Sequence, residues 1–350
     1  MSPKMKTSFK YSGDSGTYHS RDNEEAVPHP GSVREQLEPG NQTLVTVFIL
    51  GGLPFTMELP SLFFLLFLLI YLLTLLGNIL LLLTVLSDPR LHALPMYFFL
   101  GHLSFLDTCL SSVTMTKVLA RWVGPGPNAI SFVGCAMQLY AFHILASTEC
   151  SLYTAMAYNR FLAICRPLRY SVVMSRRACV GLAAGTWLTG SLHAMIHATL
   201  TFHLPYCSPN RVEHFFCDIP AVLKLACADT ATNQALILTN TGAVAAVCFL
   251  LLCVSYAYIV CAILKICTAQ GRQRAFSTCS AHPTVALLYC ESPIFIYLQP
   301  SSSHTSNGVI ATFYTAVTPL LNPFIYTLRK KEMKKALRKL TYGQTLSLHV

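Results

Sequence analysis

The sequence predicts an all-α membrane protein, a seven-transmembrane helix bundle with a short C-terminal amphipathic helix. Three observations lead there. Of 350 residues, 53% are hydrophobic and only 11% are charged, less than half the roughly 25% typical of a soluble domain. The charge is unevenly placed, since the first 40 residues hold 11 of the 40 formal charges and residues 59–87 hold none. Seven apolar stretches, 59–86, 95–120, 133–158, 178–200, 232–266, 273–298 and 308–328, can each cross a hydrocarbon core, which takes roughly 20 helical residues. This composition excludes a soluble globular enzyme, and its apolar content excludes a disordered chain.

Residues 1–57 are predicted as an extracellular tail. Within it, 1–40 is polar, of mixed charge and rich in Ser, Gly and Pro, and is expected to be disordered. It has no basic start followed by a short apolar core, so no cleaved signal peptide is expected and the first span acts as the targeting signal. Residues 58–328 form the membrane domain. Its second, third and sixth spans contain Asp107, Glu149 and Glu291, and ionisable groups in a membrane helix face the bundle interior and mark function. Glu291 is read either as a protonated, locally bonded acid or as a selector for a ligand with a donor or positive charge. Residues 329–350 form a cytoplasmic tail in which Met333, Ala336, Leu337 and Leu340 recur among seven Lys and Arg. That pattern is a basic amphipathic helix suited to anionic membrane lipid.

The net charge of +10 has no basic stripe interleaved with aromatics, so no nucleic-acid partner is expected. It sets topology instead. Sixteen Lys and Arg fall on one side of the seven spans and nine on the other. The richer side is cytoplasmic, which puts the N-terminus outside the plasma membrane and the C-terminus inside. The one N-x-[ST] sequon, at Asn41, lies on the predicted outer side and is read as a glycosylation acceptor. Four of the 14 cysteines, Cys135, Cys207, Cys217 and Cys227, share that oxidising side. They are read as two bridges over the bundle mouth, and three pairings are open. No zinc-type cysteine spacing, nucleotide loop or catalytic triad is present, so neither an enzyme nor a cofactor is expected. Inverted half-repeats, which favour a transporter, are also missing.

The third span ends Met156-Ala157-Tyr158-Asn159-Arg160-Phe161-Leu162-Ala163-Ile164-Cys165, and the seventh ends Pro319-Leu320-Leu321-Asn322-Pro323-Phe324-Ile325-Tyr326. Alone, Arg160 reads as a snorkelling residue. Alone, the proline run reads as a kink whose freed carbonyl an Asn can satisfy. Together with Gly77-Asn78, the run Leu91 to Leu100, Leu103-Ser104, Asp107, Ser255-Tyr256, Arg274 to Cys279 and His282, they resemble the olfactory receptors of the rhodopsin-like G-protein-coupled family. The resemblance spans Asn41 to Leu340, and the runs opening span two and covering Phe276 to His282 are peculiar to olfactory members.

The resemblance implies an odorant receptor that binds a small hydrophobic odorant and activates a heterotrimeric stimulatory G protein, raising cAMP. It pairs Cys135 with Cys217 and Cys207 with Cys227. It makes Asn159, Arg160, Tyr256 and Tyr326 the G-protein switch. It makes Asp107 and Glu149, near Asn322, a site for a sodium ion, the alternative being one neutral carboxyl bonded to Asn78 or Asn322. Matching positions put the ligand among Phe142, His143, Ala146, Ser147, Asn240, Thr241, Pro293, Ile294, Tyr297, Thr312 and Thr315, a mostly apolar wall with few polar anchors. Each of these also reads as ordinary helix packing, and His143 as a hydrogen-bonded core histidine. Phe142 stands where amine receptors carry an Asp, which disfavours an ammonium ligand.

The chain departs from the family pattern in several places. Asn159 replaces the usual Asp, Phe161 the usual Tyr, and Tyr289-Cys290-Glu291 the usual Phe-Tyr-Gly. Pro283 follows His282, and 40 residues precede Asn41. An amide restrains Arg160 less than an acid, so raised basal signalling or altered coupling is expected. A folded but weakly coupled receptor, or a chemosensory receptor outside olfaction, is the alternative reading.

Overall fold

The structure is a computed structural model that describes residues 45–51, 60–123, 128–207, 209–280, 282–287, 289, 315–325 and 331–347. The residues from Thr43 onward form one compact unit. Asn41 lies outside the described residues, as do Cys290, Glu291, Pro293, Ile294, Tyr297, Thr312 and Tyr326.

Helix α1 (Pro60–Ser87) has two unlike faces. Phe67, Thr74, Asn78, Leu81 and Val85 recur at three-, four- and seven-residue steps and are buried, whereas Leu62, Leu65, Leu69, Leu72 and Leu76 are exposed. In water such a leucine face would be unstable; in lipid it is the solvated face. Asp88 caps the short α2 (Pro89–His92), accepting from the Arg90 N–H, and α3 (Pro95–Val123) follows with proline at its first position, where the missing N–H costs nothing. Helix α4 (Phe132–Cys165) starts at Ser131, whose hydroxyl caps the Gly134 N–H. It runs past the predicted end at 158, because Pro167 is the first residue unable to continue it. Then come α5 (Pro167–Val173), α6 (Arg176–Phe202), α7 (Ile219–Leu223), α8 (Ala231–Leu264) and α9 (Ala269–Cys279). Helical residues 282–287 (α10) and 315–325 (α11) belong to the sixth and seventh predicted spans. Helix α12 (Lys331–Ser347) follows.

By length and composition α1, α6 and α8 can cross a membrane. Helices α3 and α4 are as long, and their polar residues Asp107, Thr148 and Glu149 are fully buried. Helix α4 packs against α3, α6 and α8, and α1 packs against α3 and α12. Lipid tails are as apolar as leucine, so such helices associate through close packing and interhelical hydrogen bonds. Gly190 on α6 shows the close packing: a Cβ there would lie 2.8 Å from the Ile144 carbonyl oxygen of α4.

The all-α expectation needs one correction. Strand β1 (Val47–Leu50) pairs antiparallel with β2 (Ala129–Ser131) and parallel with β3 (Arg211–Val212), in the order β2-β1-β3. Alternation explains it: Phe48 and Leu50 are buried while Val47 is exposed, so the segment presents one apolar face. Pairing satisfies its backbone groups. The Cys135–Cys217 and Cys207–Cys227 disulfides pin the same end.

Candidate functional site

Three polar clusters thread the interior, and the helices above fix each of them. The first lies between α4, α6 and α8. His143 donates from Nδ1 to the Leu139 carbonyl at 2.8 Å and its ring stacks on His197 at 5.1 Å. Ser147 bonds His193 Nδ1 at 2.7 Å, and the Nε2 atoms of His193 and His197 are 2.9 Å apart, so one imidazole donates to the other. Thr241 Oγ1 lies 3.3 Å from His197 Nε2. His197 is fully buried, and among the described residues its Nδ1 has no hydrogen-bond partner. Thus His143, Ser147 and Thr241 come together here. Phe142 borders the cluster, its ring 5.3 Å from the His143 ring in an edge contact and 4.9 Å from Phe216 of the loop above. Asn240 is half-buried on α8, and Thr315 is fully buried on α11.

The second cluster joins α3, α4 and α11. Asn322 Nδ2 donates to Asp107 Oδ2 at 2.9 Å and to the Tyr153 hydroxyl at 3.0 Å. Tyr153 in turn reaches Glu149 Oε1 at 3.1 Å. Asn78 donates to the Pro319 carbonyl at 3.0 Å, which satisfies a group near the proline kink. The Asp107 and Glu149 carboxyls face each other. Among the described residues, Asp107 Oδ1, Glu149 Oε2 and Ser111 Oγ are buried with no donor from another side chain, apart from the contact between the two carboxyls. Converging oxygens of this kind fit a hard monovalent cation or a shared proton. Tyr289 donates to the Ala146 carbonyl at 3.0 Å, which ties a predicted ligand position to this layer. The Tyr289 and Tyr153 rings meet at 5.3 Å.

The third cluster surrounds Arg160. The Tyr256 hydroxyl bonds His282 Nδ1 at 2.6 Å, and both feel the Arg160 charge. His282 also meets the Tyr153 ring at 5.9 Å. Asn159 accepts from the Tyr170 hydroxyl of α5 at 3.0 Å, and its amide nitrogen lies 3.4 Å from the Met96 sulfur of α3. The amide therefore straps α4 to two neighbours, a role the sequence reading had not given it.

Above the clusters, Gln138 receives the Cys217 N–H at 3.1 Å and donates to the Val113 carbonyl at 3.0 Å. Burial among Phe215 and Phe216 holds the His214 ring down to about 4. Burial also pushes the Asp218 carboxyl up to about 6, against its bond from the Ile219 N–H.

His193, His197, Tyr153 and Gln138 escaped the sequence reading. The histidines did leave a signal: four residues apart, they share one face of an apolar span.

Comparison with known proteins gives the family. A family model described as olfactory receptor matches residues 67–343. The human olfactory receptor 10S1 is 59% identical over 303 residues, covering 87% of this chain and 91% of that protein. The human olfactory receptor 10G2 is 57% identical over 300 residues, 86% of this chain and 96% of its own. The human olfactory receptor 10G7 is 53% identical over 307 residues, 88% and 98%. With its apolar helices and its match over most of its length, the chain is a multi-pass membrane receptor rather than an enzyme, and it belongs to the olfactory receptor family.

Proposed function

We propose that this receptor binds a small hydrophobic odorant inside a seven-helix bundle and activates a stimulatory heterotrimeric G protein, raising cAMP. The bundle takes in residues 58–328, with the N-terminal tail of residues 1–57 outside, Asn41 glycosylated, and the 329–350 tail in the cytoplasm. One observation carries the reading. A polar and aromatic route runs from Ala146 through Tyr289 and Tyr153 to Asn322 and Asp107, and through His282 to Tyr256, a pair within the electrostatic reach of Arg160.

Ligand contact at Phe142, His143, Ala146, Ser147, Asn240, Thr241 and Thr315, and at Pro293, Ile294, Tyr297 and Thr312, shifts the helices that carry this route. The ligand favours the state whose cytoplasmic face opens around Arg160 and Tyr326. His143, Ser147 and the His193–His197 pair supply hydrogen bonds, while Phe142 and its neighbours supply apolar wall. Asp107 and Glu149, near Asn322, would hold a sodium ion, which would supply the positive charge that balances the two carboxylates. Without it, Asn322 and Tyr153 restrain the two carboxyls by direct hydrogen bonds. The Cys135–Cys217 and Cys207–Cys227 bridges hold the loop over the mouth.

The test is cAMP in cells displaying the chain at the surface, against a broad panel of volatile odorants. A response that disappears in Arg160→Ala supports the reading; a response that survives it rejects the switch. A second reading, a folded but weakly coupled receptor, is favoured by Asn159 serving as a strap to Tyr170 and Met96. Guanine-nucleotide exchange on a reconstituted G protein separates the two.

A further inference from the structure

A groove with a cavity of about 140 Å³ opens between α1, α11 and α12. Its walls are Gly77, Leu80 and Thr84 on α1, Pro323 and Phe324 on α11, and Leu337 on α12. The one hydroxyl among them is already committed, because Thr84 Oγ1 donates to the Leu80 carbonyl at 2.6 Å. Gly77 sets the floor: a Cβ there would stand 3.1 Å from the Pro323 ring, so the absent side chain lets α1 and α11 close. The interior is therefore wholly apolar. A cavity of this size admits about six carbons, a section of an acyl chain, and is too small for a fused sterol ring system.

Charge gathers beside it. Helix α12 carries Lys331, Lys334, Lys335, Arg338 and Lys339 against one acid, Glu332. That acid is engaged by the Tyr97 hydroxyl at 3.0 Å. Met333 and Ala336 are buried while Lys334 and Arg338 are exposed. Lys334 and Arg338 lie four residues apart, so they share a face, and they bracket Leu337 at the groove. Apolar slot and cations together match one molecule, a chain joined to an anionic headgroup.

We propose that this groove and the Lys334–Arg338 pair form a binding site for one anionic glycerophospholipid of the surrounding bilayer. Its acyl chain fills the slot and its net negative headgroup meets the two cations. Bound there, the lipid fixes α12 against α1 and α11. The site depends on neither odorant nor G protein, so its fate is independent of the signalling reading.

The test uses the full receptor in nanodiscs with a phosphatidylserine probe bearing a diazirine on its acyl chain, and the matching phosphatidylcholine probe. Phosphatidylserine adducts are expected on residues 77–84 and 323–324, in excess over phosphatidylcholine. Each surface cation is worth about five-fold in affinity, so Lys334→Gln with Arg338→Gln should weaken phosphatidylserine labelling roughly ten- to thirty-fold. Leu80→Trp should fill the slot and abolish labelling. Should that variant not fold, the surface pair decides alone. Equal labelling by both probes, or phosphatidylserine labelling unchanged in the double variant, overturns the proposal.

Discussion

Asn159 carries the most consequential single substitution against the family pattern. An acid at this place would bind Arg160 through a charge-assisted hydrogen bond worth about 1.5–3 kcal/mol. The amide instead spends its oxygen on Tyr170 and its nitrogen on Met96. Asn159→Asp should lower basal cAMP about ten-fold at matched surface expression, and an unchanged basal level would show that this position does not restrain the arginine. Such a role was only half legible in the sequence. The departure from an acid was visible, but the partners lie on α5 and α3, separated from it by 11 and 63 residues. No local pattern encodes that proximity.

Close approach dominates at the level of elements. Gly190 lets α6 approach α4, and a Cβ would meet the Ile144 carbonyl at 2.8 Å and the Thr148 N–H nitrogen at 3.0 Å. Backbone cannot yield as a flexible side chain can, so Gly190→Ala should destabilise the receptor by about 1–3 kcal/mol. A thermal-unfolding midpoint in detergent that stays unchanged would contradict the tight α4–α6 contact. The long apolar spans were readable because a membrane demands whole helices: α1, α3, α6 and α8 begin and end near their predicted limits, and α4 begins near its own but runs on to Cys165. The small sheet was not foreseen. Val47–Leu50 is four residues long, and its partners lie in two distant loops, so its pairing is a tertiary fact. The histidine pair of α6 was legible as spacing, but its meeting with His143, Ser147 and Thr241 required three helices to be placed.

At the scale of the whole molecule, a pinned cap sits over an interior polar route. Two buried groups in the cap titrate in opposite senses. His214 is held down to about 4 and stays neutral when folded. As pH falls below about 6.5 the unfolded chain takes up a proton that the folded ring refuses, and stability is lost. Asp218 is pushed up to about 6. As pH falls through that value the folded chain takes up the proton first, and stability is gained until the unfolded carboxyl also protonates near 3.8. Each effect reaches about 3 kcal/mol, so between pH 6.5 and 4 they largely cancel. Asp218→Asn should therefore make the unfolding midpoint fall on acidification, and His214→Gln should make it rise. Parallel curves in the two variants would exclude the assignment.

The proposed route from the ligand layer toward Arg160 passes through Tyr153, its narrowest point. The Tyr153 hydroxyl touches both Glu149 and Asn322, and its ring touches Tyr289 and His282. Tyr153→Phe keeps the ring and deletes only the hydroxyl bonds, each worth about 1 kcal/mol. The decisive measurement is odorant-stimulated guanine-nucleotide exchange for Tyr153→Phe against the parent, in the same lipid and at equal receptor amount. The expected result is a dose–response curve shifted several-fold or a reduced maximum, with the folded amount unchanged. A curve superimposable on the parent's would contradict it, and the ligand layer would then have to reach the cytoplasmic face by another path.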